Sequence, residues 1–425
     1  MIKKFFYFSV LIIGFTGKSQ VKILFDATKA QMAGSADWVI DADAHNLYTS
    51  NPTSGITVNT GGTESNPQRI PLPAQSGITS ATPETYWQGA LSHWAIDCVR
   101  QGYTVESLPW NARITYGDLT NSQDLSNYKV FIVDEPNILF SAIEKNAIVN
   151  FVKNGGGLMM IADHTISDRN NDTYDSLMVW NDLMTTNTVL ANPFGISFDA
   201  IDLSQTTSNV VNLPNNTILH GPASPVVCAV CGNVTQAKWT SGTTMTLSPS
   251  VNPSVTGLIY KTGSSTNGTL NAMCVSATYL AGKVVAIGDS SIPDDSTGDP
   301  NDILYDGYIA DASGNHQKLL MNATIWLATN SIMGSATFDV SQENFTIAPN
   351  PISGKELKLF YKSSTTNPLN FSIYDSIGRE VKKVLFTPTT DTTSQNIDCS
   401  DLISGLYFGK IQTEYSSKTI PFSVK

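Results

Sequence analysis

Charged residues are scarce in this chain of 425 residues, at 14% against roughly 25% in typical globular proteins. Asp and Glu outnumber Lys and Arg by 36 to 25, which gives a formal net charge of −11. This negative net charge excludes a protein that binds polyanions through its overall charge, so we expect no nucleic-acid partner. Cysteine is also rare, and the odd count of 5 leaves at least one thiol unpaired in a monomer.

No stretch of the sequence is long and apolar enough to predict a transmembrane helix, so we expect no membrane span. A short apolar run, 5–15, follows Lys3 and Lys4 and precedes polar residues. This order of charged, apolar and polar residues predicts a signal peptide over residues 1–20, cleaved near Ser19. We therefore expect the protein to leave the cytoplasm.

Two of the cysteines, Cys228 and Cys231, have the CxxC spacing of a zinc half-site or a redox pair. A closed zinc site needs two more ligands, and no second CxxC or nearby His pair supplies them. We therefore favour a disulfide, either within the pair or to Cys274, that staples a loop.

The last eighty residues differ from the rest of the chain in composition. Residues 345–425 carry nine Lys and Arg against seven Asp and Glu, whereas residues 21–344 carry thirteen against twenty-nine. Short alternating segments separated by turns predict a small all-β sandwich in this tail. We place a linker at 336–344 between it and the larger domain.

Particular segments of the tail carry a family resemblance. Ala348–Pro351, Ile373–Val381, Asp401–Tyr407 and a basic-ended final strand resemble the C-terminal sorting domain of the Bacteroidota type IX secretion system. The resemblance implies export by the type IX secretion machinery and a secreted or outer cell-surface location. The alternative is an ordinary carbohydrate-binding or immunoglobulin-like appendage.

Residues 21–335 alternate strand and helix patterns, which predicts an α/β domain with a doubly wound, mostly parallel, flavodoxin-like sheet with insertions. A polar stretch at 49–80 is the main predicted insertion. We expect a helix to open at Thr82 and another at the capping box Ser141–Glu144. Strands are predicted at Val21–Asp26, Tyr103–Leu108, Tyr128–Glu135, Leu158–Ala162 and Lys283–Ile287, and a final helix at His316–Leu327.

This domain resembles the class I glutamine amidotransferase-like superfamily at Leu125–Tyr128, Glu144 and Asn154–Leu158. Ile287–Ser290 is similar to a domain shared by gliding-motility and intraflagellar-transport proteins. True amidotransferases carry a Cys on the elbow after the Gly-rich turn and strand, where this sequence has Ile161–Thr165. We therefore expect no glutamine hydrolysis.

Acidic residues and a histidine follow the predicted strands, and ligands of open parallel sheets bind beyond the carboxyl ends of the strands. A cluster of carboxylates and His can hold a divalent metal, lower the pKa of a bound water and polarise an ester or phosphoryl oxygen. We therefore expect a hydrolase acting on an extracellular polymer or a small ester. The expected catalytic residues are Asp163, His164, Glu135 and His316, and the expected metal ligands at this edge are Asp26 and Asp289.

Asp168, Asn170 and Asp172 place oxygen atoms at positions one, three and five of a calcium loop. Thr173 replaces the usual Gly and Val179 the usual Glu, so the loop is not an EF-hand. We expect either a calcium site of another kind or a turn closed by its own hydrogen bonds.

Two other functions stay open on the sequence. Gly288-Asp289-Ser290 matches the opening of GDS-type serine esterases, with Ser290 as nucleophile and His316 as base. Its late position and the spacing of the residues that follow depart from that family. A non-catalytic surface module that binds glycans or proteins is the second alternative. The tryptophans that could line a glycan-binding surface are Trp38, Trp87, Trp94, Trp110 and Trp180.

Overall fold

The computed structural model describes eleven stretches of the chain, and the chain divides into two compact units, Met1–Asn330 and Ser331–Lys425. The predicted signal peptide up to residue 19 and the predicted linker 336–344 lie outside the described residues. No helix in the described stretches is long and apolar enough to cross a membrane. The described residues are 20–33, 36–42, 68–72, 74–298, 305–329, 345–352, 354–361, 369–376, 378–386, 393–412 and 417–425.

The first unit mixes strands and helices. Its strands are β1 Lys22–Asp26, β2 Met32–Ala33, β3 Ala36–Asp37, β4 Thr104–Leu108, β5 Val130–Asp134, β6 Gly157–Ile161, β7 Ile196–Phe198, β8 Leu203–Thr207, β9 Ala237–Gly242, β10 Met245–Leu247, β11 Thr256–Tyr260, β12 Ala272–Tyr279 and β13 Gly282–Ile287. Its helices are α1 Ser92–Arg100, α2 Ala142–Lys153, α3 Ser176–Thr186, α4 Thr217–His220 and α5 His316–Ala328, with 3-10 turns at Glu84–Tyr86 and Leu125–Asn127.

The main sheet has the strand order β4-β1-β5-β6-β13-β12-β10-β7, with β11 paired to β12. The first five strands of this order pair in parallel, and the remaining pairs are antiparallel. In chain order the five parallel strands run 2-1-3-4-5, a common order of doubly wound α/β sheets. The expectation of a mixed α/β domain with a large, mostly parallel sheet is confirmed.

The parallel strands are buried on both faces, which explains why their sequences are continuously apolar. Successive side chains of a strand point to opposite faces, so neighbouring residues join different cores. Ile132 and Met159 pack in the core that contains α1 and α5, whereas Phe131 and Leu158 pack in the core that contains α2 and α3.

The turn from α2 into β6 requires three glycines for three different reasons. Gly155 has φ +107°, a left-handed conformation that side chains with a Cβ rarely adopt. A Cβ on Gly156 would collide with the ring of Phe151, and one on Gly157 would lie 2.7 Å from the carbonyl oxygen of Leu327. The turn therefore ends α2 and lets the last helix approach the sheet closely.

The helix predicted to open at Thr82 is the main correction to the predicted elements. Only a 3-10 turn forms at Glu84–Tyr86, and α1 begins at Ser92. The intervening chain packs against the main chain near Val39: the N–H of Leu91 donates to the Val39 carbonyl at 3.0 Å, and a Cβ on Gly89 would lie 2.5 Å from that oxygen. This tertiary pairing replaces a further helical turn.

The second unit is all β, as predicted. A sheet in the order β14-β15-β18 and a sheet in the order β17-β16-β19-β20 are each antiparallel. Both contribute to one core, with Leu357 and Ile397 from the first sheet and Phe371 and Ile411 from the second. The strands are β14 Phe345–Ala348, β15 Glu356–Tyr361, β16 Leu369–Asp375, β17 Glu380–Phe386, β18 Thr393–Asp398, β19 Gly405–Gln412 and β20 Ser417–Val424.

Candidate functional site

The parallel register brings the predicted site residues to one edge of the sheet. Ile161 of β6 pairs with Asp134 of β5 on one side and with Ile287 of β13 on the other. Asp163 lies two residues after Ile161, and Asp289 lies two residues after Ile287. The carboxyl ends of these strands therefore place several acidic residues close to one another, in the position where open α/β sheets bind ligands.

Arg169 joins two of the predicted catalytic carboxylates. Its Nε donates to Glu135 Oε1 at 2.8 Å, and its Nη2 donates to Asp163 Oδ2 at 2.6 Å. Both carboxylates are buried, at 0% and 3% exposure. Charge-assisted bonds of this length are strong, and they fix the loop that carries Arg169 to the ends of β5 and β6.

Glu135 is the most highly connected residue at this edge. Its second oxygen accepts hydrogen bonds from Trp38 Nε1 and Ser290 Oγ, both at 2.7 Å. Its backbone has φ +41°, an unusual conformation for a residue with a side chain. Such strain persists only where the surroundings hold the residue in place. Here Trp38, Arg169 and Ser290, from three other segments, bind the side chain, and the nearby Asn137 donates to the Glu135 carbonyl.

Burial changes the ionisation of the acids at this edge. Burial, and then the neighbouring Glu135 and Asp289, raise the pKa of Asp163 well above its usual range, and Arg169 only partly offsets them. Burial disfavours the Arg169 guanidinium too, but the two carboxylates outweigh it and raise its pKa. Burial also raises the pKa of Asp289 to about 7. The edge therefore has the perturbed acids that functional sites often show.

Two predicted metal ligands are engaged in other hydrogen bonds. Asp26 accepts from Thr28 Oγ1 at 2.8 Å and from Gln31 Nε2 at 2.5 Å, within the turn that follows β1. Asp289 accepts from the N–H of Ser291 at 2.8 Å and from the N–H of Thr240. Asp26 thus closes a local turn, whereas Asp289 joins its own turn to β9.

His164 is the most exposed of the predicted catalytic residues, with 18% of its side chain accessible. Its Nδ1 lies 2.6 Å from the carbonyl oxygen of Thr165 and therefore donates a hydrogen bond to it. Its Nε2 lies 3.6 Å from Asp163 Oδ2, and the ring also approaches the exposed Asp202. His164 and Asp163 therefore form a pair at the margin of the buried network.

Among the described residues, the hydrogen bonds of His316 do not lead to this edge. Its Nδ1 donates to the carbonyl of Gly307 at 2.7 Å and its Nε2 accepts from the N–H of Lys238 at 3.1 Å, so both ring nitrogens are used. Burial lowers the pKa of His316, which keeps it neutral. Ser290 donates to Glu135 instead, so the expected Ser290–His316 pair of a serine esterase is not formed.

The predicted calcium loop is closed by its own hydrogen bonds. Asp168 accepts from the N–H groups of Asp172 at 3.1 Å and Thr173 at 2.7 Å, and Asp172 accepts from Asn170 Nδ2 at 3.0 Å and from the N–H of Tyr174. The described residues contain no group of three or more His, Cys, Asp or Glu side chains arranged to hold a metal ion. The donor set of this loop therefore fits a turn better than a calcium site.

The tryptophans considered for a glycan-binding surface are core residues. Their exposures do not exceed 7%, so none offers a ring face to a sugar. These residues are Trp38, Trp87, Trp94, Trp110 and Trp180.

Three exposed apolar side chains lie close to Arg169 in the sequence, two in the loop before α3 and one in the first turn of α3. We call them the exposed apolar face and define it as Ile166, Tyr174 and Met178. Their exposures are 88%, 36% and 42%. The carboxylate of Asp175 joins the main chain at two of these positions, since it accepts from the N–H of Ile166 at 3.0 Å and from the N–H of Met178 at 3.2 Å. The Asp175 side chain also caps α3 at its N-terminus.

The backbone of this loop is strained at several positions. Ile166 has φ +66°, Asn171 +58° and Thr173 +82°. A β-branched residue in this region is a genuine outlier, and Ile166 combines that conformation with nearly full exposure. An isoleucine at this position gains no stability from burial, and its branched side chain disfavours this backbone conformation.

The cysteines take no part in the site. Cys228 and Cys231 form a local disulfide, which is one of the two pairings that the sequence allowed. Cys98 and Cys274 are free and buried. Burial raises the pKa of Cys98 well above its usual range and that of Cys274 to about 12, so both thiols are inert.

Sequence reasoning missed the role of Arg169, although the sequence contains a signal for it. Arg169 is the only Lys or Arg between Lys153 and Lys238, in a segment rich in Asp. A single cation among so many acids is a candidate partner for a buried carboxylate. Which carboxylates it meets depends on the fold.

Comparison with known proteins identifies the tail. Residues 346–425 match the secretion system C-terminal sorting domain family. This confirms the type IX sorting domain, so the protein is secreted, reaches the outer cell surface and interacts with the type IX secretion machinery.

The comparisons say less about the larger domain. One solved structure to which the chain is similar is the "mmIFT52 N-terminal domain", at 14% identity and a TM-score of 0.34, covering 55% of this chain and 88% of that chain. A similarity of this size supports no conclusion about fold or function. No curated protein matches the chain. The amidotransferase-like assignment of residues 21–335 therefore gains no support from the comparisons.

Proposed function

We propose that the α/β domain is a surface-displayed module that binds a protein partner through the exposed apolar face Ile166, Tyr174 and Met178. The observation that carries this proposal is Ile166, an isoleucine 88% exposed at φ +66°. Backbone strain is retained at functional positions, and an exposed apolar side chain offers area that a protein partner can bury. The face also stands at the strand edge where α/β proteins bind ligands.

The chemistry of the face favours a protein over a glycan. Sugars stack on exposed aromatic rings, and the tryptophans suited to that role are buried. Isoleucine and methionine bury apolar area against a protein partner, and Met adapts its shape to the contact. The Arg169 network beneath the loop holds the face in place before a partner arrives.

A hydrolase centred on Asp163 and His164 is the second candidate. One observation favours it: Asp163 has a strongly raised pKa beside a partly exposed His, as a catalytic acid would. Against it, Asp163 and Glu135 are bound to Arg169, and Ser290 is bound to Glu135. Because these groups satisfy one another, the edge is closed to substrate in this arrangement.

A photo-crosslinking amino acid placed at position 166 of the full-length protein on cells tests the binding proposal. We expect one discrete protein adduct, competed by excess purified protein but not by its Ile166→Asn variant. Leu280 is the matched control, because it is 68% exposed at φ +51° but lies in the β12–β13 hairpin at the opposite edge of the sheet.

Equal adducts from positions 166 and 280 would overturn the binding proposal. A panel of chromogenic esters, phosphoesters and glycans decides the other candidate. Turnover of any of them that is lost in His164→Ala would favour the hydrolase instead.

A further inference from the structure

Within the part of the chain that the structure describes, the carboxyl group of Asp134 is buried without a hydrogen-bond partner. Asp134 ends β5 at the centre of the parallel sheet and is 2% exposed. Neither of its oxygens has a hydrogen-bond partner within the described part of the chain. An ionised carboxylate in such a place would bear a large desolvation cost with nothing to offset it.

The charged groups that act on Asp134 are three other acids. Glu135 follows it on the same strand, Asp289 follows β13, and Asp294 lies on the segment beyond. Asp289 and Asp294 each accept two main-chain N–H groups, Asp294 from Ser296 at 3.0 Å and from Tyr305 at 2.8 Å. Glu135 has Arg169, Trp38 and Ser290 as donors. Asp134 is the member of this group without a donor.

The same acidic segment, which we define as residues 289–297, is fastened to the start of α1. Asp295 Oδ2 accepts from the N–H of His93 at 2.7 Å and from Ser92 Oγ at 2.8 Å. Thr297 Oγ1 donates to the carbonyl of Gly89 at 3.0 Å. Side chains of the acidic segment thus fix it to the start of α1, and two of its acids, Asp289 and Asp294, act on Asp134 through their charges.

We propose that Asp134 carries a proton in the folded protein and that this proton allows the acidic segment to keep its position near Asp134. A neutral carboxylic acid has an O–H that can donate to a neighbouring carboxylate oxygen, which supplies the missing hydrogen bond. Loss of the proton would add a negative charge to a buried group that already contains Glu135, Asp289 and Asp294. Repulsion among them would then loosen the segment.

The ionisation of the cluster has the direction that this proposal requires. Burial, and then Glu135, Asp289 and Asp294, raise the pKa of Asp134 well above its usual range. Burial raises the pKa of Asp294, like that of Asp289, to about 7. At these three acids the folded protein binds more protons than the unfolded chain, whose Asp side chains titrate near about 4. The contribution of these acids to stability therefore falls as pH rises from about 4 through about 7 and beyond.

The test is the melting temperature of the full-length protein as a function of pH, with Asp134→Asn compared with wild type. Asn has nearly the shape of a protonated Asp and cannot ionise. We expect Asp134→Asn to raise the melting temperature at pH 8 by about 3 °C or more and to raise it clearly less at pH 5.

Asp124 is the matched control, because it is equally buried but fully bonded. It accepts from Thr115 Oγ1 at 2.6 Å and from the N–H groups of Gly117, Asp118 and Ser126. Although burial opposes it, these donors lower the pKa of Asp124 to about 2. Its stabilisation is present above about 4 and lost as pH falls, so Asp124→Asn should lower the melting temperature at pH 8.

Two further measurements complete the test. Wild type at pH 6 should show the infrared C=O stretch of a buried protonated carboxyl, reduced in Asp134→Asn. Hydrogen exchange of residues 289–297, corrected for intrinsic rates, should quicken at pH 8 in wild type more than in the variant.

An equal shift of the melting temperature at pH 5 and pH 8, or no protonated-carboxyl band, would overturn the proposal. If Asp134→Asn fails to fold, Asp134→Leu supplies a second neutral side chain of similar shape. Failure of both would also overturn it, since a group that is already neutral must tolerate a neutral replacement.

Discussion

The guanidinium of Arg169 lies between two carboxylates that the sheet buries at the ends of neighbouring strands. Its own side chain is 21% exposed, whereas those of Glu135 and Asp163 are 0% and 4% exposed. Solvent therefore cannot replace it as their partner. Removing the cation would leave two buried acids without their partner in a site of low dielectric constant. The resulting loss of folding free energy is larger than the net stabilisation that the ion pairs provide when intact.

Arg169→Met should therefore lower the free energy of unfolding by about 3–5 kcal/mol. Urea unfolding followed by tryptophan fluorescence measures the α/β domain selectively, because all 7 tryptophans lie between residues 38 and 326. Arg113→Met is the control, since Arg113 pairs with Asp118 at the surface with 62% of its side chain exposed, and should stay close to wild type. Equal effects of the two substitutions would show that the network is not a structural support.

At the scale of elements, the loop between β6 and α3 is held by its acidic side chains. Asp168 and Asp172 accept N–H groups of the loop itself, and Asp175 both caps α3 and holds Ile166. Such side chain to main chain bonds build tight turns without a metal ion. They also allow the left-handed conformations of Asn171 and Thr173.

A chelator should therefore leave the melting temperature of the full-length protein unchanged, and added calcium should not raise it. The carboxylates of this loop already have hydrogen-bond partners, so we expect no metal ion to bind the folded state. Without such binding, a chelator cannot shift the melting temperature. The measurement is a thermal melt with chelator, with calcium and with neither. A fall on chelation that disappears when Asp168→Ala and Asp172→Ala are combined would identify an ion in this loop after all.

At the scale of the whole molecule, the chain consists of an α/β unit and an all-β sorting domain, each with a core of its own. A domain with its own core can fold without its neighbour. Export depends on the second unit, because the sorting domain is the part that the type IX machinery recognises.

Deletion of residues 345–425 should trap the protein in the periplasm while the α/β domain stays folded. Fractionation of cells gives the location, and tryptophan fluorescence of the purified fragment gives its folding. Leu357→Asp should reproduce the export defect, because Leu357 is fully buried in the sorting-domain core. Leu385→Asp, at a position 66% exposed, should be exported normally. Surface delivery of the truncated chain would contradict the prediction.

The strands and the tail could be predicted from the sequence because their signals are local. The apolar run that ends at Asp134 and the Gly-rich turn before β6 are each determined by the identity of a few adjacent residues. The start of α1 could not be predicted, because Leu91 pairs with Val39 some fifty residues earlier along the chain.

The sequence by itself therefore determined which residues follow the strands, that they are acidic, and that the chain ends in a sorting domain. Only the tertiary structure decided what those residues do: that Arg169 holds Glu135 and Asp163, that His316 is bonded to main chain instead, and that Asp134 has no donor. The reason is physical. Hydrogen-bond partners and dielectric surroundings depend on atoms distant in sequence, whereas periodicity and turn chemistry depend on neighbours.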